Sequence, residues 1–188
     1  TYELADFLQS HEKIELNIEG YPNEEFLRLV EDTRPDQCTL VPDAINQLTS
    51  DHGWNFNDQA EFLDTVLKQI NDWGVRSAVF LDPDLEQVAL AAQSPCQRIE
   101  LYTEAYAQSW GGDSQAQVLN RYRDVTAKAQ GLGLGVNAGH DLDLQNLPAF
   151  LTIPDILEVS IGHALIVECI ESGMQSVVQR YLEICHGC

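Results

Sequence analysis

Six short apolar runs alternate with longer stretches of helical spacing, and this alternation narrows the fold of the 188-residue chain more than any other feature. The runs are KIELNIEG (13–20), QCTLVPD (37–43), RSAVFLDPD (76–84), RIELYTEAYA (98–107), LGVNAGHD (134–141) and ILEVSIGHA (156–164). Each has strand length and β-branched or apolar content. Between them, NEEFLRLVEDT (23–33) opens on Asn23 as a helix cap with two acids in its first turn. DQAEFLDTVLKQINDWG (58–74) sets Phe62, Val66 and Ile70 on one helical face and stops at Gly74. Residues 114–131 predict a helix ending at Gly131, and 164–184 a closing helix that bends near Gly173. Shorter helices are expected over 84–93 and 143–151, and another, YELADFLQS (2–10), precedes the first strand.

Strand-then-helix units in series predict a parallel sheet with helical crossovers. No linker or shift of composition divides the chain, so residues 1–188 are expected to form a single domain. Two α/β architectures fit, an open doubly wound sheet and a (β/α)8 TIM barrel. Six strands alone suit the open sheet. The polar residues favour the barrel: Glu19, Asp43, Asp82, Glu100, Asn137 with His140, and His163 fall at C-terminal strand ends, where barrel sites are built. No Gly-rich fingerprint follows the first strand. GLGLG (131–135) precedes its strand and reads as a helix stop with a tight loop.

The formal net charge of −20 argues against nucleic acid and anionic membranes as partners. No apolar run has the length of a membrane span, and the start lacks the pattern of a secretion signal, so a cytoplasmic location is expected. The five cysteines are irregularly spaced, a poor disulfide framework. Cys38 and Cys169 read as buried thiols, and Cys185 and Cys188, in CHGC, as terminal thiols. The histidines show no metal-ligand spacing, and no G-x-S-x-G elbow is present.

Two apolar runs end in Gly-His. Gly162-His163 closes the last run where a helix begins, so free amides there suit a phosphate; a plain turn is the alternative. His140 follows Ala-Gly with Asp141 and Asp143 beside it, a setting for a general acid or base, or for a structural histidine. Glu19 alternates with Leu16 and Ile18 and faces the barrel mouth, where a raised pKa suits proton abstraction from carbon. Glu100 lies mid-strand in an apolar run. Either Arg98 or a similar neighbour satisfies it or it serves the site.

Together LNIEGYPNEEFL, DTRPDQCTLVPD, RIELYTEAYA, LGLGVNAGHDL and LEVSIGHALI resemble, in order and spacing, the pyridoxine 5′-phosphate synthase family. The resemblance implies a TIM barrel and the condensation of 3-amino-2-oxopropyl phosphate with 1-deoxy-D-xylulose 5-phosphate, releasing phosphate and water, without metal or organic cofactor. By position it implies Glu19 as the glutamate that shuttles protons, His140 as the late proton donor and Glu100 as the glutamate that stabilises the transition state. Thr49 would contact the deoxyxylulose phosphate, and Gly162 and His163 the phosphate of the aminoketone. Asp141 stands where the family has a glycine making a backbone contact; its carboxylate would repel a phosphate. The family forms ring-like homo-oligomers, octamers.

The family also carries two earlier βα units, with an Asn-x-Asp-His stretch and phosphate-binding histidines and arginines. This sequence is therefore expected to correspond to about strands 3–8 of the barrel, an N-terminally truncated portion. Such a portion would expose two sheet edges and the apolar inside of the barrel, dissolve poorly or associate, and lack synthase activity. A non-catalytic phosphate-binding or assembly protein is one alternative. Another phosphate-handling barrel, an aldolase or isomerase, is a second; a strand-end lysine would favour it, and Lys13, Lys68 and Lys128 are not so placed.

Overall fold

A computed structural model of the chain describes residues 2–10, 14–43 and 50–187. Six strands, β1 (Asn17–Gly20), β2 (Gln37–Leu40), β3 (Arg76–Leu81), β4 (Arg98–Tyr102), β5 (Gly135–Gly139) and β6 (Ile156–Ser160), form one sheet. They lie in chain order and every neighbouring pair is parallel. That order decides between the two architectures. A doubly wound sheet reverses direction at a switch point, whereas a barrel adds each new strand on the same side. The sheet also curls. Gln37 of β2 donates to Glu158 of β6 at 3.2 Å, and Ser160 of β6 reaches Glu19 of β1 at 3.5 Å, so side chains meet across the concavity. Among the described residues β1 and β6 have no outer strand neighbour, which makes this a half barrel with two open edges.

The helices are α1 (Tyr2–Gln9), α2 (Glu24–Thr33), α3 (Phe56–Asp72), α4 (Leu85–Ala91), α5 (Glu104–Ser109), α6 (Gln115–Gly131), α7 (Leu147–Phe150), α8 (His163–Ser172) and α9 (Met174–Gly187). Asn23 caps α2 as expected, accepting from the amide of Phe26, and Asp84 caps α4 through two amides. Gly173, at φ 83, separates α8 from α9 where the sequence predicts a bend.

Strand alternation sorts the sheet into two faces. Outward residues Cys38, Leu40, Val79, Leu81, Ile99, Leu101, Val136 and Ala138 are fully buried in one core with Leu63, Leu67 and Ile70 of α3 and Tyr122 of α6. Each large aliphatic side chain so buried contributes about 1.5–3 kcal/mol. Inward residues are mostly polar: Gln37 and Thr39, Arg98 and Glu100, Asn137, Glu158 and Ser160. The inside is thus not the apolar surface expected from the sequence. Exposed apolar side chains gather instead on helices, at Leu4 and Phe7 of α1 and at Ile166, Val167 and Ile170 of α8.

Three further expectations need correcting. RIELYTEAYA is not one strand: β4 stops at Tyr102, and Glu104 begins α5. The buried face of α3 is Leu63, Val66, Leu67 and Ile70; Phe62 sits beside it, 40% exposed, stacked on Tyr21. The last strand ends at Ser160, and a register shift opposite Val136 and Asn137 throws Leu157 out of the alternation and into solvent.

Candidate active site

At the C-terminal end of the curled sheet lies a cavity of about 320 Å³. Glu19, Glu100, His140, Asp141, Gly162 and His163 all line it. Six candidates from four separated stretches thus converge on one place. Thr49, the seventh, lies outside the described residues. A larger cleft, about 720 Å³, opens between α4 and α6 outside the sheet, but no strand-end acid or histidine converges on it.

Glu100 is 2% exposed, and among the described residues its Oε2 has no hydrogen-bond partner. Burial pushes its carboxyl well above the usual range, and the charges of Glu19 and Glu158 add to the rise. The sequence left open whether Arg98 satisfies it. It does not: Arg98 pairs with Glu158 at 3.2 Å. Glu100 has room because Gly139 on the neighbouring strand has no side chain. A Cβ there would stand 2.1 Å from Glu100 Oε1. The glycine of VNAGH therefore has a steric reason.

Glu19, next to last in β1, sits at the rim and stays accessible to solvent. Loss of surrounding water raises its pKa first, and the charge of Glu158 raises it further. Hydrogen bonds from Asn17 at 3.0 Å and from Ser160 oppose the rise. Two carboxyls with raised pKa share one cavity, one open and one buried, and each keeps its proton to higher pH than a free carboxyl does.

His140 and Asp141 both lie in the left-handed region, at φ 87 and φ 59, which costs a non-glycine residue strain. The surroundings hold the turn in place. Thr103, fully buried, shares its hydroxyl between the carbonyls of Gly139 (2.7 Å) and His140. Asn146 donates to the carbonyl of Asp141 at 3.0 Å, and Tyr106 anchors Asn146 in turn. The His140 ring meets Tyr102 edge-on, with ring centres 4.8 Å apart, and its Nδ1 lies 3.3 Å from the Asp141 carboxylate. Asp143 has another task, accepting from the amides of Gln145 and Asn146. Sequence reading missed Thr103, Asn146 and Ser160; only their nearness to Gly-His or to a strand end marks them.

Gly162 caps α8 with no side-chain hydrogen bond to the first turn, and a Cβ there would meet nothing within 4 Å. Gly162 and His163 line the cavity where α8 begins, and an uncapped helix start is a ready place for an anion. Lys68 and Lys128 lie on the exposed faces of α3 and α6, away from every strand end.

A family model described as "Pyridoxal phosphate biosynthesis protein PdxJ" matches residues 2–187. The chain belongs to this family. It is 49% identical over 177 residues to the pyridoxine 5′-phosphate synthase of Chelativorans sp. (strain BNC1), covering 92% of this chain and 71% of that protein. It is 45% identical over 186 residues to the synthase of Albidiferax ferrireducens, covering 96% of this chain and 74% of that protein. Among solved structures, a mutant tryptophan synthase alpha-subunit from Pyrococcus furiosus aligns over all of this chain and 72% of its own, at a TM-score of 0.66 and 12% identity. At that identity the likeness concerns the fold alone. No helix among the described residues is long and apolar enough to cross a membrane.

Proposed function

We propose that the cavity at the end of the curled sheet is the ring-closing site of a pyridoxine 5′-phosphate synthase. The activity is that of a transferase in vitamin B6 biosynthesis, in keeping with the family and the named relatives. It condenses 3-amino-2-oxopropyl phosphate with 1-deoxy-D-xylulose 5-phosphate and releases phosphate and water. One observation carries the assignment of the site: Glu19, Glu100 and His140 reach one cavity from three different strands, beside the uncapped start of α8.

Such a condensation must orient an amine against a ketone and move several protons. Glu19, open to solvent and with a raised pKa, takes and returns protons at the reacting carbons. Glu100, whose carboxyl holds its proton to higher pH because it is buried, donates a hydrogen bond where negative charge builds on an oxygen. His140 delivers a proton late in the sequence. The amides of Gly162 and His163 hold the aminoketone phosphate at the head of α8. Asp141 adopts a backbone conformation that glycine accepts freely, which supports a backbone contact at this position. Its carboxylate lies toward His140. Thr49 would contact the second phosphate.

The six strands fit strands 3–8 of a barrel within one domain. The support is the sequential order, the two open edges and the exposed apolar residues of α1 and α8. A cytoplasmic location and a ring-like homo-oligomer belong to the same proposal. The test is growth. The complete native reading frame should let a pyridoxine-requiring bacterium without its own synthase grow without the vitamin, and Glu19→Gln should not. Failure of the unaltered frame would reject the reading in favour of a non-catalytic phosphate-binding protein.

A further inference from the structure

Three carboxyls share the concave face, and the reaction just described uses two of them. The third, Glu158, was not among the sequence candidates. Glu100, Asn137 and Glu158 lie side by side on β4, β5 and β6. Glu158 accepts from Arg98 Nη1 at 3.2 Å, from Asn137 Nδ2 at 3.2 Å and from Gln37 Nε2 at 3.2 Å. Arg98 lies one inward layer below Glu100, so it draws the Glu158 carboxylate away from the mouth. Of the three acids, Glu158 alone has a cation and a full set of donors, and its side chain is 29% exposed.

We propose that Glu158 is a positioning residue: a carboxylate anchored on the floor of the concavity by Arg98, Asn137 and Gln37, whose charge acts on Glu19 and Glu100 above it. The inference rests on the ring-closing assignment and deepens it. A carboxylate held this way cannot touch a substrate at the mouth, yet both site acids respond to it. For Glu19 its charge is the largest cause after burial; for Glu100 it adds to the rise behind burial and the charge of Glu19. Other charged and titratable groups face the same space. From β3 comes Arg76, which pairs with Glu15 at 2.5 Å and donates from Nε to Gln37 Oε1 at 2.9 Å. Arg98 and Tyr102 come from β4, His140 and Asp141 from the turn after β5, and His163 from the head of α8. None of these is an anion paired with an arginine. Glu158 is thus a carboxylate tied to the floor by Arg98, and three like charges in one concavity cannot all be ionised at little cost.

The experiment is a carboxyl titration followed by carbon NMR on the protein from its complete reading frame. The Glu19 and Glu100 signals are assigned by Glu19→Gln and Glu100→Gln. Glu158→Gln is expected to move both titrations to lower pH, and Glu158→Asp, which keeps a charge on the same strand, to leave them near the wild-type position. Glu158→Met, similar in volume and also neutral, serves if the glutamine variant does not fold, which a thermal melt reports. In the enzyme assay the acidic limb of the kcat/KM profile should move to lower pH in the neutral variants and not in Glu158→Asp. Unmoved Glu19 and Glu100 titrations in a folded neutral variant would overturn the inference, leaving Glu158 a structural tie between strands. Since the titration needs no turnover, moved signals without ring closure would reject the synthase reading and keep this one.

Discussion

The two faces of the sheet are made by the same six strands and do opposite things. The convex face is a closed apolar core in which Leu81, Ile99, Leu101 and Val136 are fully buried. The concave face carries Gln37, Arg98, Asn137 and Glu158 in a hydrogen-bonded floor, with Glu19, Glu100 and His140 above it. A strand presents alternate residues to opposite sides, so neighbouring positions such as Glu100 and Leu101 serve different ends. Stability is concentrated outside and chemistry inside. Substitutions that separate the two properties test that division.

The largest expected effect is inside. His140→Gln should lower ring closure about 10²–10⁴-fold, the usual contribution of a positioned acid or base. Its melting temperature should barely move, since Thr103 and Asn146 hold the turn through backbone carbonyls. A kinetic assay paired with calorimetry reads both. A large loss of stability would break the comparison.

Outside, Leu101→Ala should cost about 2–5 kcal/mol in denaturant unfolding, the range for a buried leucine. The fraction that stays folded should keep its kcat. A lowered kcat in folded protein would show that the faces are not separable.

Glu100→Gln sharpens the comparison because one residue bears on both properties. The carboxyl has a raised pKa in the folded protein. Its contribution to stability is therefore fully present below the unfolded value and is lost as pH rises through the folded value. The glutamine variant should gain stability over wild type on the alkaline side, by about 1–3 kcal/mol, the scale of a buried polar group without a partner. It should also lose activity. Melts across a pH series would show a gain growing with pH; a gain independent of pH would contradict the burial argument.

Gly162→Ala should have the smallest effect. Open space surrounds the position and its φ of −102 is ordinary, so stability should change by less than about 0.5 kcal/mol. The added methyl crowds the amides at the head of α8, so KM for the aminoketone phosphate should rise while kcat holds. An unchanged KM would move the phosphate elsewhere.

Much of this was legible in the sequence, and the limits have physical causes. Six runs of strand length separated by helices give the parallel sheet, and acids at strand ends give the barrel mouth. The division of RIELYTEAYA at Tyr102 was not legible, because Thr103 to Ala107 is as apolar as a strand and helix entry depends on tertiary packing. The polar floor escaped notice because Gln37, Asn137 and Glu158 are far apart in the chain and each looks like an isolated polar break in an apolar run. The steric need for Gly139 depends on a side chain thirty-nine positions earlier, Glu100, and appears only when β4 and β5 are paired.

The most direct measurement is the formation of pyridoxine 5′-phosphate from the two phosphorylated substrates by purified protein from the complete reading frame, wild type beside Glu19→Gln. Product from the wild type, with the variant equally stable and slower by about 10²–10⁴-fold, is the predicted result. Equal rates from the two proteins, or no product from the wild type, would contradict the assignment of the concave face as the ring-closing site.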